Sequence, residues 1–321
     1  MNNSNARTDL PPSRTQEASA GVLKIAKFAC PANTSQPVRS ALAGLAGLCL
    51  AAGVCANASA ATWSDTFLGL KYGSKFAEPF NPNDIAKTVA TFGHASGYKY
   101  GSNFFNIDYL MSDKNDPAFA GATHGAREIY AIYRHTVDFG AVSGQAFKVG
   151  PIKGLGFTVG FDVNTKNDVG YNSKKQMLVA GPAFFIDVPA GFLTISLLQL
   201  WESNAPFDTR SGRGVARYHY DPHPMLSAAW GIPVSAFFFK GVANFITEKG
   251  RNEFGGATKA ETFIDLSLMY DLAPVFGTPK SSLQAGVGYN YWKNKFGNDA
   301  GGPAGSGAFA RTPNVKVEYH F

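Results

Sequence analysis

The chain has 321 residues, a formal charge of +6, 13% aromatic residues, 35 glycines and three cysteines. The charge falls to +3 once residues 1–60 are set aside, too mild to argue for nucleic acid as a partner, and so few cysteines argue against a disulfide-stapled scaffold. Residues 61–321 contain no apolar run of the roughly 20 residues a spanning helix needs, yet they are rich in glycine and aromatic residues, as membrane β-barrels are.

The first 60 residues differ in character from the rest. Residues 1–40 are polar, with Arg14, Lys24, Lys27 and Arg39, and lead into the apolar run 41–56 and then Ala58-Ser59-Ala60. A basic region, an apolar core and an Ala-x-Ala site make a secretory signal, with a short membrane anchor as the alternative. The division expected is therefore 1–60, extension and signal peptide, and 61–321, one barrel domain. Cys30, Cys49 and Cys55 all precede the expected cleavage, and neither Cys49 nor Cys55 has the context of a lipid-modified cysteine. Removal of five Lys or Arg and two acids leaves a net charge of +3.

Twelve segments of strand length and alternating character follow. They are 63–72, 85–94, 98–111, 127–137, 155–164, 177–188, 192–202, 225–232, 236–247, 259–271, 283–292 and 312–321. The fifth is the sharpest, because Leu155, Phe157, Val159, Phe161 and Val163 alternate with Gly156, Thr158, Gly160, Asp162 and Asn164. In the last, Pro313, Val315, Val317, Tyr319 and Phe321 share one parity. A chain that stops on an apolar strand needs that strand tied down, and pairing with the first strand of a closed barrel does so.

Connections expected to be long (73–84, 112–126, 203–221, 248–258, 293–311) alternate with short ones, as in a transmembrane up-and-down barrel with an even strand count. Segment 138–153 is long for the short side. A soluble β-sandwich is the competing architecture. The expected class is an all-β, antiparallel transmembrane barrel of about 12 strands, in the outer membrane of a Gram-negative bacterium. The terminal Phe321 also resembles the signal by which outer-membrane barrels engage their assembly machinery.

With lipid against one face, function falls to the other. The charged residues placed inward are Lys71, Asp108, Glu128, Arg134, Asp162, Lys240, Lys259, Glu261, Asp265, Lys316 and Glu318, five basic and six acidic. A nearly neutral lumen points to neutral polar solutes rather than to ions of one sign. Tyr130, Phe263 and Trp292 are available to stack on a flat ligand. The candidate solute-binding set is Asp108, Glu128, Tyr130, Arg134, Asp162, Asn164, Lys240, Lys259, Glu261, Asp265, Asn290 and Trp292. The bland alternative is that these groups line water and pair across strands.

Phe67-Leu-Gly-Leu-Lys-Tyr-Gly73, Phe80-Asn-Pro-Asn-Asp-Ile-Ala-Lys87, Gly97-Tyr-Lys-Tyr-Gly101, Asn103-Phe-Phe-Asn-Ile-Asp108 and Tyr291-Trp-Lys-Asn-Lys-Phe-Gly297 resemble the outer-envelope proteins related to Tsx and OmpK. That resemblance implies a twelve-stranded outer-membrane channel for nucleosides; no cofactor is expected. His94-Ala-Ser96 resembles the dyad of the outer-membrane lipid A deacylase, so a barrel hydrolase is the enzymatic alternative, and a plugged structural barrel is another; no enzymatic activity is expected. His219 and His223 are expected in a solvated loop, since Pro222 breaks the spacing of a paired metal site.

Overall fold

The computed structural model describes residues 61–117, 119 and 121–321. The expected signal peptide and the three cysteines lie outside the described residues. Twelve long strands run in chain order: β1 (Trp63–Glu78), β2 (Asn81–Tyr98), β3 (Gly101–Ser112), β4 (Arg127–Asp138), β5 (Ile152–Asn167) and β6 (Gln176–Ile186). The second half comprises β7 (Phe192–Asn204), β8 (His223–Val234), β9 (Phe237–Ile246), β10 (Glu261–Asp271), β11 (Leu283–Lys293) and β12 (Phe309–His320). Each pairs antiparallel with its neighbours in sequence. β12 pairs with β1 in the register Phe67↔His320 to Tyr72↔Val315, and the Phe321 amide donates to the Thr66 carbonyl at 2.9 Å. The sheet is thus a closed barrel, and every strand interior finds a backbone partner on both sides.

Side-chain alternation divides the barrel into two surfaces. Every strand contributes a solvent-exposed apolar residue to the outer one: Leu70, Phe92, Tyr109, Ile129, Val159, Leu178, Leu197, Leu226, Phe245, Leu268, Val287 and Val317. A continuous belt of this kind far exceeds the apolar patches that water-soluble monomers expose, and matches the band a bilayer covers. Inside, Lys87, Asn204, Thr312 and Asp116 are among the most completely buried side chains. Polar groups occupy the interior because the apolar residues of opposite parity face outward.

Short turns gather at one end of the barrel. β2 and β3 are joined by Lys99 and Tyr100, and β8 and β9 by Ser235, at φ 58°, and Ala236. In the β6–β7 turn Gly191 has φ 75°, and a Cβ there would lie 1.9 Å from the Gly231 carbonyl oxygen, so only glycine fits. The long segment between β4 and β5 lies at this end too. It is taken up partly by a one-turn helix, α1 (Phe139–Ser143), capped by Asp138, which accepts from the amides of Gly140 and Ala141 at 2.8 and 3.2 Å.

The expected long connection 73–84 is not a loop. β1 and β2 continue as a hairpin to Glu78 and Asn81, turning at Pro79 and Phe80. Register shifts between Gly73 and Phe76, and again between Phe76 and Glu78, break the alternation that would have revealed the strand. Lys259 also departs from expectation: β10 begins only at Glu261, and Lys259 is exposed in the preceding connection, so it is not a lumenal residue.

Candidate functional site in the lumen

Charged side chains cross the lumen and pair at several levels. In one layer Lys71 of β1 and Lys316 of β12 share Asp265 of β10, at 3.1 and 2.9 Å. Lys240 of β9 meets Glu318 of β12, and donates to Gln284 at 3.0 Å. Toward the long-loop end, Lys87 bonds Glu78 at 2.5 Å and lies 3.3 Å from Asp116. Lys166 meets Asp116 at 2.8 Å and Asp168 at 3.4 Å, while Lys295 reaches Glu78 at 3.0 Å. These pairs satisfy charges in a confined space, where an unmatched one would be costly.

Between the layers, on the side of β4 and β5, Tyr130 donates to Asp162 at 2.8 Å, and Arg134 bonds the same carboxylate at 2.5 Å and the carbonyls of Tyr133 and Phe161 at 2.9 and 3.1 Å. The missing side chain at Gly160 makes room for the arginine, since a Cβ there would lie 2.8 Å from Arg134 Cδ. Asn164 donates to Glu128 at 2.5 Å and to Ser173 at 3.0 Å.

A cavity of about 70 Å³ lies within this framework, lined by Tyr130, Asp162 and Asn164, by Glu261 and Trp292, and by Lys175, Met177, Leu200, Glu202, Ile246, Lys249 and Phe296. Residues of β4 and of β11 face the same space, so it lies across the bore rather than within one wall. Its size is well below the roughly 300–1,000 Å³ of drug-sized pockets, so only a small solute fits without rearrangement. One wall is apolar: Val179, Leu198, Leu200 and Met225 are buried together, with Met177 and Ile246 packed against them. On the other walls the Trp292 indole donates to Glu261 at 2.5 Å, and its ring meets Phe263 and Phe296 edge-on, each at 4.8 Å. Lys175 sits 3.8 Å from the Phe296 ring centroid and 3.3 Å from Glu202, which also receives Lys249 at 2.7 Å. Burial pulls the Lys175 ammonium below its ordinary range, with Glu202 opposing that shift.

Three of the long connections close together above the cavity on one carboxylate. Tyr171, between β5 and β6, donates to Glu253 at 2.5 Å; Tyr220, between β7 and β8, donates to its other oxygen at 2.6 Å. Asn204, at the end of β7, adds a bond at 3.0 Å. Burial pushes the Glu253 carboxyl up, but the two phenol hydrogen bonds outweigh it and hold the carboxyl below its usual range. Burial, reinforced by the Glu253 charge, pushes both phenols well above theirs.

Of the residues chosen from sequence, Tyr130, Asp162, Asn164, Glu261 and Trp292 line the cavity; Arg134 and Glu128 contact its lining through Asp162 and Asn164. Asp108, which accepts from Thr91 at 2.6 Å, Lys240 and Asp265 belong to other contacts in the lumen, and Asn290 is buried without lining the cavity. Sequence reading missed Glu202, Lys175, Lys249, Phe296 and the apolar wall. β7 did carry a signal for the wall, because Leu198 and Leu200 are apolar on the parity opposite to Leu197 and Trp201. His223 is not solvated as expected: it is 1% exposed at the start of β8, with Nδ1 2.8 Å from the Asp221 carbonyl and Nε2 4.0 Å from Glu202. His94 and Ser96 share the outward face of β2, and His94 Nδ1 lies 2.8 Å from Thr66 Oγ1.

The fold and its lumen together define an antiparallel barrel of twelve strands, apolar outside and polar within. No family model matches the sequence, and no curated protein matches it. Among solved structures it is similar to the translocator domain of autotransporter NalP from Neisseria meningitidis, at 14% identity and TM-score 0.40, covering 87% of this chain and 96% of that one. It is also similar to the KdgM porin, at 7% identity and TM-score 0.37, covering 80% and 99%. A third is the outer membrane protein opdK from Pseudomonas aeruginosa, at 9% identity and TM-score 0.25, covering 80% and 98%.

Proposed function

We propose that this chain is an outer-membrane channel of a Gram-negative bacterium through which small polar solutes diffuse, nucleosides among them. The observation that carries this reading is the cavity across the bore, in which aromatic rings and hydrogen-bonding groups converge inside a barrel with an apolar outer belt. Nucleosides are the finer part of the proposal. They rest on the resemblance of the short motifs to the Tsx-related family, and a nucleoside, larger than the cavity of about 70 Å³, passes only if the lining moves apart. Phe321, whose amide completes the β12–β1 seam, is read as the end by which the barrel assembly machinery engages the chain.

The test is single-channel conductance of the full chain in planar bilayers while nucleosides and then simple sugars are added. Stepwise current that nucleosides reduce saturably, with sugars inert, is the expected result. Current indifferent to both removes the nucleoside preference and leaves a small-solute channel. Lack of current from a folded barrel favours the second reading, a plugged structural barrel, for which the ion pairs crossing the lumen speak.

A further inference from the structure

On the outside of the barrel, one stretch of wall carries positive charge that no carboxylate answers. Lys293 is the last residue of β11 and Arg311 the third of β12, both at the long-loop end and both exposed. Arg311 stands across from Tyr291, and Lys293 across from Phe309, so the two cations are diagonal neighbours around an aromatic pair. The Tyr291 and Phe309 rings meet edge-on at 5.1 Å, and the Arg311 guanidinium lies 4.9 Å from the Phe309 ring centroid. On the other side of β12, Lys75 of β1 is exposed beside Thr312, whose hydroxyl donates to the Lys75 carbonyl at 2.6 Å. Among the described residues no Asp or Glu lies within 4.0 Å of any of the three cationic groups. Other exposed arginines of this end are engaged: Arg127 and Arg251 donate to backbone carbonyls, and Arg217 to a carbonyl and to Ser203.

We propose that Lys293, Arg311 and Lys75 form a docking surface for the phosphate groups of the glycolipid in the outer leaflet. Position selects this partner. On the outward parity of the same strands, Tyr289, Val287 and Val315 continue the apolar belt toward the short-turn end, so lipid chains cover the wall directly below the cations. The cations stand where the belt gives way to the long connections, the depth of a lipid headgroup, and long connections lie on the outer side of such barrels. The guanidinium beside the Phe309 ring offers paired N–H donors that match a phosphate, and the two lysines add charge to the same patch. This surface rests on the outer-membrane placement proposed above and is independent of whether the lumen conducts.

Binding is measured by fluorescence anisotropy of a dye-labelled bis-phosphorylated lipid A in detergent micelles, titrated with the full chain. A saturable rise is expected, reversed by unlabelled lipid A at a concentration at least about tenfold below that required of its dephosphorylated form, of phosphatidylglycerol or of inorganic phosphate. Arg311→Gln combined with Lys293→Gln is expected to weaken binding at least about tenfold, the scale of losing two cations that face an anionic lipid. Lys148→Gln combined with Lys153→Gln removes the same charge from the short-turn end, where both lysines are exposed, and is expected to change binding less than about twofold. Each chain is first shown to be folded by its heat-dependent shift on an SDS gel, and Arg311→Lys, which keeps the charge, is expected to bind between the parent and the first double variant. Equal displacement by the dephosphorylated lipid, by phosphatidylglycerol or by inorganic phosphate overturns the proposal, as does an equal loss in the two double variants. Lipid binding without current in the bilayer experiment keeps this surface and removes the channel; current without a preference for the phosphorylated lipid removes the surface and keeps the channel.

Discussion

Glu202 neutralises two lysines while itself only slightly exposed, with an 8% accessible side chain. Glu202→Gln keeps the shape and strands both ammonium groups in a confined wall. It is expected to destabilise the barrel by about 3 kcal/mol, the loss typical of breaking a buried ion pair from one side, measured by urea unfolding in detergent. A Glu202→Gln chain as stable as the parent would mean that water reaches this wall freely. Asp265 holds Lys71 and Lys316 in the same manner, but its layer lies on the proposed conduction path. Asp265→Asn leaves two cations facing the bore, so the reversal potential in a salt gradient is expected to move toward anion selectivity. An unchanged potential would place Asp265 off the path.

Among the elements, the β6–β7 turn tolerates least. Gly191 combines a positive φ with a carbonyl oxygen 1.9 Å from where a Cβ would stand. Gly191→Ala must move either the turn or the Gly231 segment of β8, at a cost of about 1–3 kcal/mol for the backbone strain alone. The expected readout is a lower temperature at which the folded barrel converts to its slower-migrating unfolded form on an SDS gel. The β1–β2 hairpin shows how a single element can conceal part of a lumen. Its bulges past Gly73 shift the register, so Glu78 comes to face Lys87 at 2.5 Å, and strict alternation does not forecast that pair.

For the molecule as a whole, three connections between strands are tied together at Glu253. Its folded pKa lies below the ordinary value of 4.5, so its contribution to that tie is fully present above about pH 4.5 and is lost as pH falls through the depressed folded value. Tryptic cleavage at Arg251, followed across a pH-jump series, is expected to accelerate after exposure below that value. A chain carrying Tyr171→Phe and Tyr220→Phe, which lacks both phenol donors, is expected to show the fast rate at neutral pH as well. Cleavage insensitive to pH in the parent would show that the connections are held by packing, such as the Tyr171–Phe254 ring contact at 6.2 Å, rather than by the carboxylate.

Twelve strands, their outward parity and the β12–β1 seam were legible in the chain because a strand against lipid repeats every two residues. Val159 and Leu178 announce their side whatever their partners are. Tyr130, Asp162, Asn164, Glu261 and Trp292 were legible as inward for the same reason. Which inward residues share one cavity was not, because that depends on strand order around the ring and on where the connections fold. Lys175, Lys249 and Phe296 lie in connections, which carry no parity, and Lys259 was misplaced because nothing periodic marks where β10 begins. The sequence by itself therefore determined the two faces of the barrel, a local property of alternation. Only the tertiary structure decided the site, since closure brings β4 opposite β11 and lets one carboxylate answer two lysines from separate segments.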